Sequence, residues 1–312
     1  MSKLIPISCL LMAFAFSISA ANDGPLAQRI SRQQLSNNIR VNVNMVLVPV
    51  SVMDSRGRSV SGLGPENFRV FDGSHQVPIV WFGTQDQPIT VGLIFDCSRS
   101  MQEKFRIARE APRELFQKLN PDDESFLIPV ADKAELRQSL TSGFEELETA
   151  LIFTQPRGMT SLLDGIYMGL QQIRKARTPR KALVVVSDGG DNNSRYTLRD
   201  LEKLAVEADT QIFAAGLYDN PRTKEEADGP LLLNELCERT GGANFAIADL
   251  LKLRDVMGKI GVSLHNQYVL AYYPPDDGTA GKYRKIKVQL RVPVGVPRLQ
   301  INARTSYYNP EQ

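Results

Sequence analysis

Residues 89–100 read Ile89-Thr90-Val91-Gly92-Leu93-Ile94-Phe95-Asp96-Cys97-Ser98-Arg99-Ser100. The first seven form an apolar run of the kind found in strands buried on both faces. That strand delivers one carboxylate and two hydroxyls, spaced i, i+2 and i+4, into the loop at its tip. All three are hard oxygen donors, with no His nearby and one Cys out of phase. They suit Mg²⁺, Mn²⁺ or Ca²⁺ rather than zinc. The pattern D-x-S-x-S alone also describes an ordinary Asp/Ser turn at a strand end, so it needs support from elsewhere in the chain.

Two later segments supply that support. Lys181-Ala182-Leu183-Val184-Val185-Val186-Ser187-Asp188-Gly189 is a second run of parallel-strand character, ending in an acid and a glycine. Between the two lies Gly158-Met159-Thr160-Ser161-Leu162-Leu163-Asp164, which places a hydroxyl just before a helix. In this order the three segments resemble the metal-ion-dependent adhesion site of von Willebrand factor A domains. The resemblance implies a metal site at Asp96, Ser98, Ser100, Thr160 and Asp188, the hydroxyls coordinating the ion and the aspartates acting directly or through water. Every position of the motif is filled.

The likeness extends along the chain. Residues 41–83, the A domain and the segment Gln267-Tyr268-Val269-Leu270-Ala271-Tyr272-Tyr273-Pro274 resemble the bacterial secreted family of related A-domain proteins. That resemblance implies a fold and a metal site but names no ligand.

The chain has 312 residues, enough for one large domain or two smaller ones. Hydrophobic residues make up 42% and charged residues 23%, a globular composition rather than a disordered one. With 37 basic and 35 acidic residues the net charge is +2, so there is no general attraction to nucleic acid or an anionic membrane. Residues 1–21 read as a secretory signal: Lys3, then the apolar Leu10–Phe16, then Ser19-Ala20-Ala21 as a cleavage site. This predicts an exported protein, periplasmic or secreted, with no transmembrane segment in its mature chain. Cys97 and Cys237 read as small buried thiols, although export would permit a bridge.

The expected organisation is a flexible leader at 22–39, the N-terminal half of a small antiparallel β lobe at 40–87, the A domain at 88–266 and the other half of the lobe at 267–312. The predicted fold class is thus α/β. A Rossmann-like A domain, its mostly parallel sheet covered by helices on both faces, is inserted in the β lobe. Period-two alternation at Ile286, Val288, Leu290 and Val292, and again at Leu299, Ile301 and Ala303, marks the returning strands. Pro49 predicts an edge strand or a bulge near the start. Pro78–Phe82 reads as a short strand. Ser161 with Asp164, and Thr197 with Asp200, each read as a capping box. Pro112 predicts a split in the first helix.

Asp164 is explained by that capping role, and Asp191 stands either behind the metal ligands or as a plain loop acid. The polar stretch 219–229 falls on the metal rim, as a partner-selecting or merely solvated loop. Lys285, Lys287 and Arg291 read as a solvated sheet face. His75 and His265 stand alone.

Enzyme chemistry finds little footing. The chain has no G-x-S-x-G elbow, P-loop or G-x-G-x-x-G, and neither of its two His lies near Ser98 or Ser100 to serve as a base. The expected function is non-enzymatic: an exported module that captures an acidic side chain of a partner protein, Asp or Glu, through Mg²⁺ (or Mn²⁺ or Ca²⁺). The alternatives are a structural or assembly component of the cell envelope with a stabilising metal and, behind it, a metal-dependent hydrolase.

Overall fold

The computed structural model describes residues 45–85, 87–218, 224–276, 281–291 and 298–309, all within one compact unit. The stretches read as signal and leader, Val292 and residues 219–223 lie outside them.

The described residues open with four strands, β1 (Val46–Met53), β2 (Phe68–Asp72), β3 (His75–Val77) and β4 (Trp81–Gln85). A strand–helix alternation follows: β5 (Ile89–Asp96), α1 (Phe105–Ala108), α2 (Pro112–Phe116), β6 (Glu124–Val130), β7 (Gln138–Thr141), α3 (Phe144–Ile152), α4 (Leu162–Ile173), β8 (Arg180–Ser187), α5 (Leu198–Glu207), β9 (Gln211–Leu217), α6 (Lys224–Thr240), β10 (Asn244–Ile247) and α7 (Leu253–His265). Among the described residues four more strands follow: β11 (Gln267–Tyr272), β12 (Lys282–Leu290), β13 (Gln300–Ala303) and β14 (Ser306–Asn309).

The central sheet has the order β10-β9-β8-β5-β6-β7. Its first five strands are parallel and β7 is an antiparallel edge. β5 lies in the middle with every residue buried, which is why residues 89–95 carry no polar alternation. One face packs on α1, α2, α3 and α7 through a core that includes Phe95, Leu115, Leu147 and Ile260. The other face packs on α4, α5 and α6 through Ile94, Ile166, Leu201 and Leu236. Helices on both faces of a mostly parallel sheet make a Rossmann-like α/β fold. Pro112 occupies the first turn of α2, and the helix is split from α1 there, as its ring and missing N–H require.

The remaining strands form two antiparallel sheets, β13-β1-β11-β4 and β14-β12-β2-β3. Each draws strands from both ends of the chain, so the α/β part is inserted in one β lobe. The two sheets share a single core of Val48, Val50, Phe68, Tyr268, Tyr272, Ile286 and Tyr307. Asp72 on β2 is fully buried there. It bonds to Arg284 Nε at 2.7 Å and accepts hydrogen bonds from the hydroxyls of Tyr272 (3.1 Å) and Tyr307 (2.8 Å). One carboxylate from the first half of the lobe thereby joins three strands of the second.

Three local expectations change. β1 is an interior strand, not an edge. Pro49 is tolerated because β13 pairs only from Val50 onward, leaving Pro49 opposite Val269 of β11 alone. The strand expected at Pro78–Phe82 starts at Trp81, and β3, ahead of it, is an additional short strand. Ser161 does not cap α4 with its side chain. Its hydroxyl donates to Asp132 O at 2.8 Å, and the loop after β8 supplies the cap instead. Asp191 Oδ2 accepts from Leu163 N at 2.8 Å and Ser194 Oγ accepts from Asp164 N at 3.1 Å. The Thr197–Asp200 capping box forms as read.

Candidate metal-ion site at the carboxyl end of the central sheet

In an open α/β sheet the loops leaving the carboxyl ends of the strands make the binding edge. Asp96 is the last residue of β5, and Asp188 follows the last residue of the adjacent β8. Both are buried, as are Ser98 and Thr160; Ser100 is half-buried.

Asp96 is held by two donors. Its Oδ1 accepts from the Ser98 amide at 2.9 Å and its Oδ2 from the Ser187 hydroxyl at 2.6 Å. The Ser98 and Ser100 hydroxyls lie 2.9 Å apart, so the i+2 and i+4 oxygens of the motif converge. Backbone bonds bring the Thr160 segment alongside: Arg157 N donates to Cys97 O at 2.8 Å and Arg99 N to Gly158 O at 3.2 Å. Gly158, at φ +69°, makes this turn with the Asp132 carboxylate packed where a Cβ would stand. Thr160 is tied in turn to the Asp188 loop, since its carbonyl accepts from the Asn192 and Asn193 amides at 3.1 Å each and its own amide donates to Asn192 Oδ1 at 2.9 Å. The three segments therefore meet, Thr160 through its backbone.

Asp188 Oδ1 accepts from Gly190 N at 3.2 Å, while Oδ2 is buried with no hydrogen-bond partner. The nearest cation to it is Lys104 Nζ, 3.9 Å away, which donates to Leu217 O at 3.0 Å. Burial pushes the Asp96 carboxyl up to about 7, and the Asp188 charge adds to the effect. Hydrogen bonds from Ser187 and Ser98 oppose it. A buried carboxyl whose ionisation is opposed by burial and by a neighbouring aspartate, that neighbour keeping one oxygen without a hydrogen bond, is chemically matched to a small hard cation. Among the described residues no three His, Cys, Asp or Glu side chains converge in metal-binding geometry. The candidate donors are the carboxylates at the tips of two adjacent strands and the Ser98–Ser100 hydroxyl pair in the loop after the first.

The sequence reading missed Ser187 and Asn192, which position Asp96 and Thr160. Ser187 had a legible signal, standing beside the acid at a strand tip; Asn192 had none. Asp191 is a helix cap. Asp164 accepts from Arg195 N at 2.8 Å and Tyr196 N at 3.2 Å, anchoring the same loop rather than completing a box with Ser161. The stretch read as a polar loop through Gly229 is helical from Lys224, and Gly229 packs against Gly189, itself at φ +81°. Cys97 and Cys237 are both buried free thiols. His265 pairs with Asp123 at 3.1 Å.

The fold and this loop arrangement define a von Willebrand-type A domain. Residues 91–190 match the family model of the von Willebrand factor type A domain, and the chain carries a domain of that family. No curated protein matches the chain in sequence. Among solved structures, a von Willebrand factor type A protein from Catenulispora acidiphila is similar at 13% identity and a TM-score of 0.50, over 86% of this chain and 75% of that one. Proximal thread matrix protein 1 from the mussel byssus, with its MIDAS motif occupied by zinc, is similar at 15% identity and a TM-score of 0.50, over 62% of this chain and 49% of that one. BatB from Bacteroides thetaiotaomicron is similar at 17% identity and a TM-score of 0.46, covering 56% and 98%. At these identities the likeness is one of fold. A domains are in general protein-interaction modules, often metal-dependent. Among the described residues no helix is long and apolar enough to cross a membrane.

Proposed function

We propose that this chain is an exported, non-catalytic protein-binding module that holds a divalent metal at Asp96, Ser98, Ser100, Thr160 and Asp188 and uses it to capture an Asp or Glu of a partner protein. The observation that carries the reading is the buried Asp188 Oδ2 without a hydrogen-bond partner, just beyond the end of the strand that runs beside the one ending in Asp96. When bound, the metal supplies a coordination position that a partner carboxylate can fill. Hydroxyl ligands leave more of its charge uncompensated than a cage of carboxylates would.

The donor set favours Mg²⁺, with Mn²⁺ or Ca²⁺ as substitutes. The zinc in the mussel byssus protein supports occupancy of such a motif by a divalent ion while making zinc a necessary competitor to test. Export rests on the apolar leader of residues 1–21.

The test is a calorimetric titration of Mg²⁺, Mn²⁺, Ca²⁺ and Zn²⁺ into chelator-stripped protein, beside Asp96→Ala. One-site binding by the wild type, lost in a variant whose far-ultraviolet circular dichroism is unchanged, is expected. Binding that survives Asp96→Ala would place the metal elsewhere, and absence of binding in the wild type would remove the mechanism.

A further inference from the structure

Beside the Cys97 loop, between Asp96 and Ser98, opens a cleft of about 450 Å³. Three basic and two acidic side chains line it. The acids are both engaged: Glu135 pairs with Arg137 at 2.8 Å, and Asp132 accepts from the Met159 amide at 2.8 Å. Lys133 and Arg157 are exposed and make no ion pair among the described residues. Phe153 forms an apolar wall and is 75% exposed. The cleft is continuous with the metal loop, since Cys97 lines it and its carbonyl receives the Arg157 amide at 2.8 Å.

We infer that this cleft is the second half of the docking surface: an acidic segment of the partner places one carboxylate on the metal and a second, a few residues away, against Arg157 and Lys133, its intervening chain lying on Phe153. This rests on the metal-and-carboxylate reading above. The choice of an acidic occupant follows from charge. Guanidinium and ammonium groups that lack a carboxylate within the protein bind one from outside most strongly where an apolar wall limits hydration. An extended chain advances about 3.3 Å per residue, so carboxylates two to four residues apart stand about 7 to 13 Å from one another.

The experiment uses fluorescein-labelled glycine-rich heptapeptides in saturating Mn²⁺. One carries a single aspartate, and three carry a further glutamate two, three or four residues on. Fluorescence anisotropy should show at least one two-acid peptide binding about tenfold more tightly than the single-acid peptide, the factor a charge-assisted hydrogen bond supplies. Arg157→Ala with Lys133→Ala should return it to the single-acid level, with Mn²⁺ affinity unchanged by calorimetry. Equal binding of all four peptides, each abolished by chelator, would overturn the cleft and leave metal capture standing. Two-acid binding that survives chelator but not Arg157→Ala would overturn the joint surface and metal capture with it, as would failure of every peptide to bind the Mn²⁺-loaded protein.

Discussion

Asp72 shows what a single buried charge does in this molecule. Its carboxylate neutralises Arg284, itself only 7% exposed, and accepts from two tyrosine hydroxyls inside the β lobe. Removing one partner of a buried ion pair costs about 3–5 kcal/mol, while replacing both by apolar groups can be nearly neutral. Asp72→Ala should therefore shift the urea midpoint strongly downward, and adding Arg284→Met should recover much of the loss. A small effect of Asp72→Ala alone would contradict this account. Asp123 makes a pH-dependent contribution. Burial opposes its ionisation, but hydrogen bonds from His265 and the amides of Ile89 and Asn120 outweigh it and hold the carboxyl below the usual range. A carboxyl whose folded value lies below its unfolded value of about 3.9 stabilises the fold above that pH and loses the contribution as pH falls through the folded value. The stability difference between wild type and Asp123→Asn should shrink below about pH 4, as followed by urea unfolding. Neither role was legible from the chain alone, because each depends on partners dozens to hundreds of positions away.

At the scale of elements, the central strand was read directly. A parallel strand covered on both faces needs an uninterrupted apolar run, and β5 and β8 carry one each. Gly92 is the exception within β5. A Cβ there would overlap the Phe126 ring and a Leu183 methyl on the flanking strands. Gly92→Ala should destabilise by about 1–3 kcal/mol through overpacking, with far-ultraviolet circular dichroism retained and the thermal midpoint lowered. An unchanged midpoint would mean the neighbours give way freely. The cap of α4 illustrates where local patterns mislead. Ser161 and Asp164 have the spacing of a capping box, yet Asp191 and Ser194 from the loop after β8 satisfy the amides of Leu163 and Asp164. A helix needs its first amides satisfied, but not by its own neighbours. Pro49 misled for a related reason: proline excludes one hydrogen bond, and only the length of β13 decides whether a partner strand wanted it.

The whole molecule is held together across its parts. Met53 of β1 packs in the core of the α/β sheet, Arg304 between β13 and β14 pairs with Asp209 at 2.5 Å, and Arg180 of β8 bonds to the Leu264 carbonyl and to Gln267 at 3.2 Å. Differential scanning calorimetry should therefore show one cooperative transition for the β lobe and the α/β part together. Two resolved transitions would show that these links are too weak to couple them. By itself the sequence determined the alternation of strands and helices, the apolar run that makes β5 a buried central strand, and the D-x-S-x-S loop at its tip. These are local properties, set by side-chain periodicity and by residue chemistry within a few positions. Only the tertiary structure decided that Asp72 ties Arg284, Tyr272 and Tyr307 together inside the β lobe, that Asp188 keeps a buried oxygen without a hydrogen bond, and that Lys133, Arg157 and Phe153 line a cleft continuous with the metal loop. Such facts depend on long-range pairing and on which polar groups find partners after packing, and spacing along a chain carries no record of either.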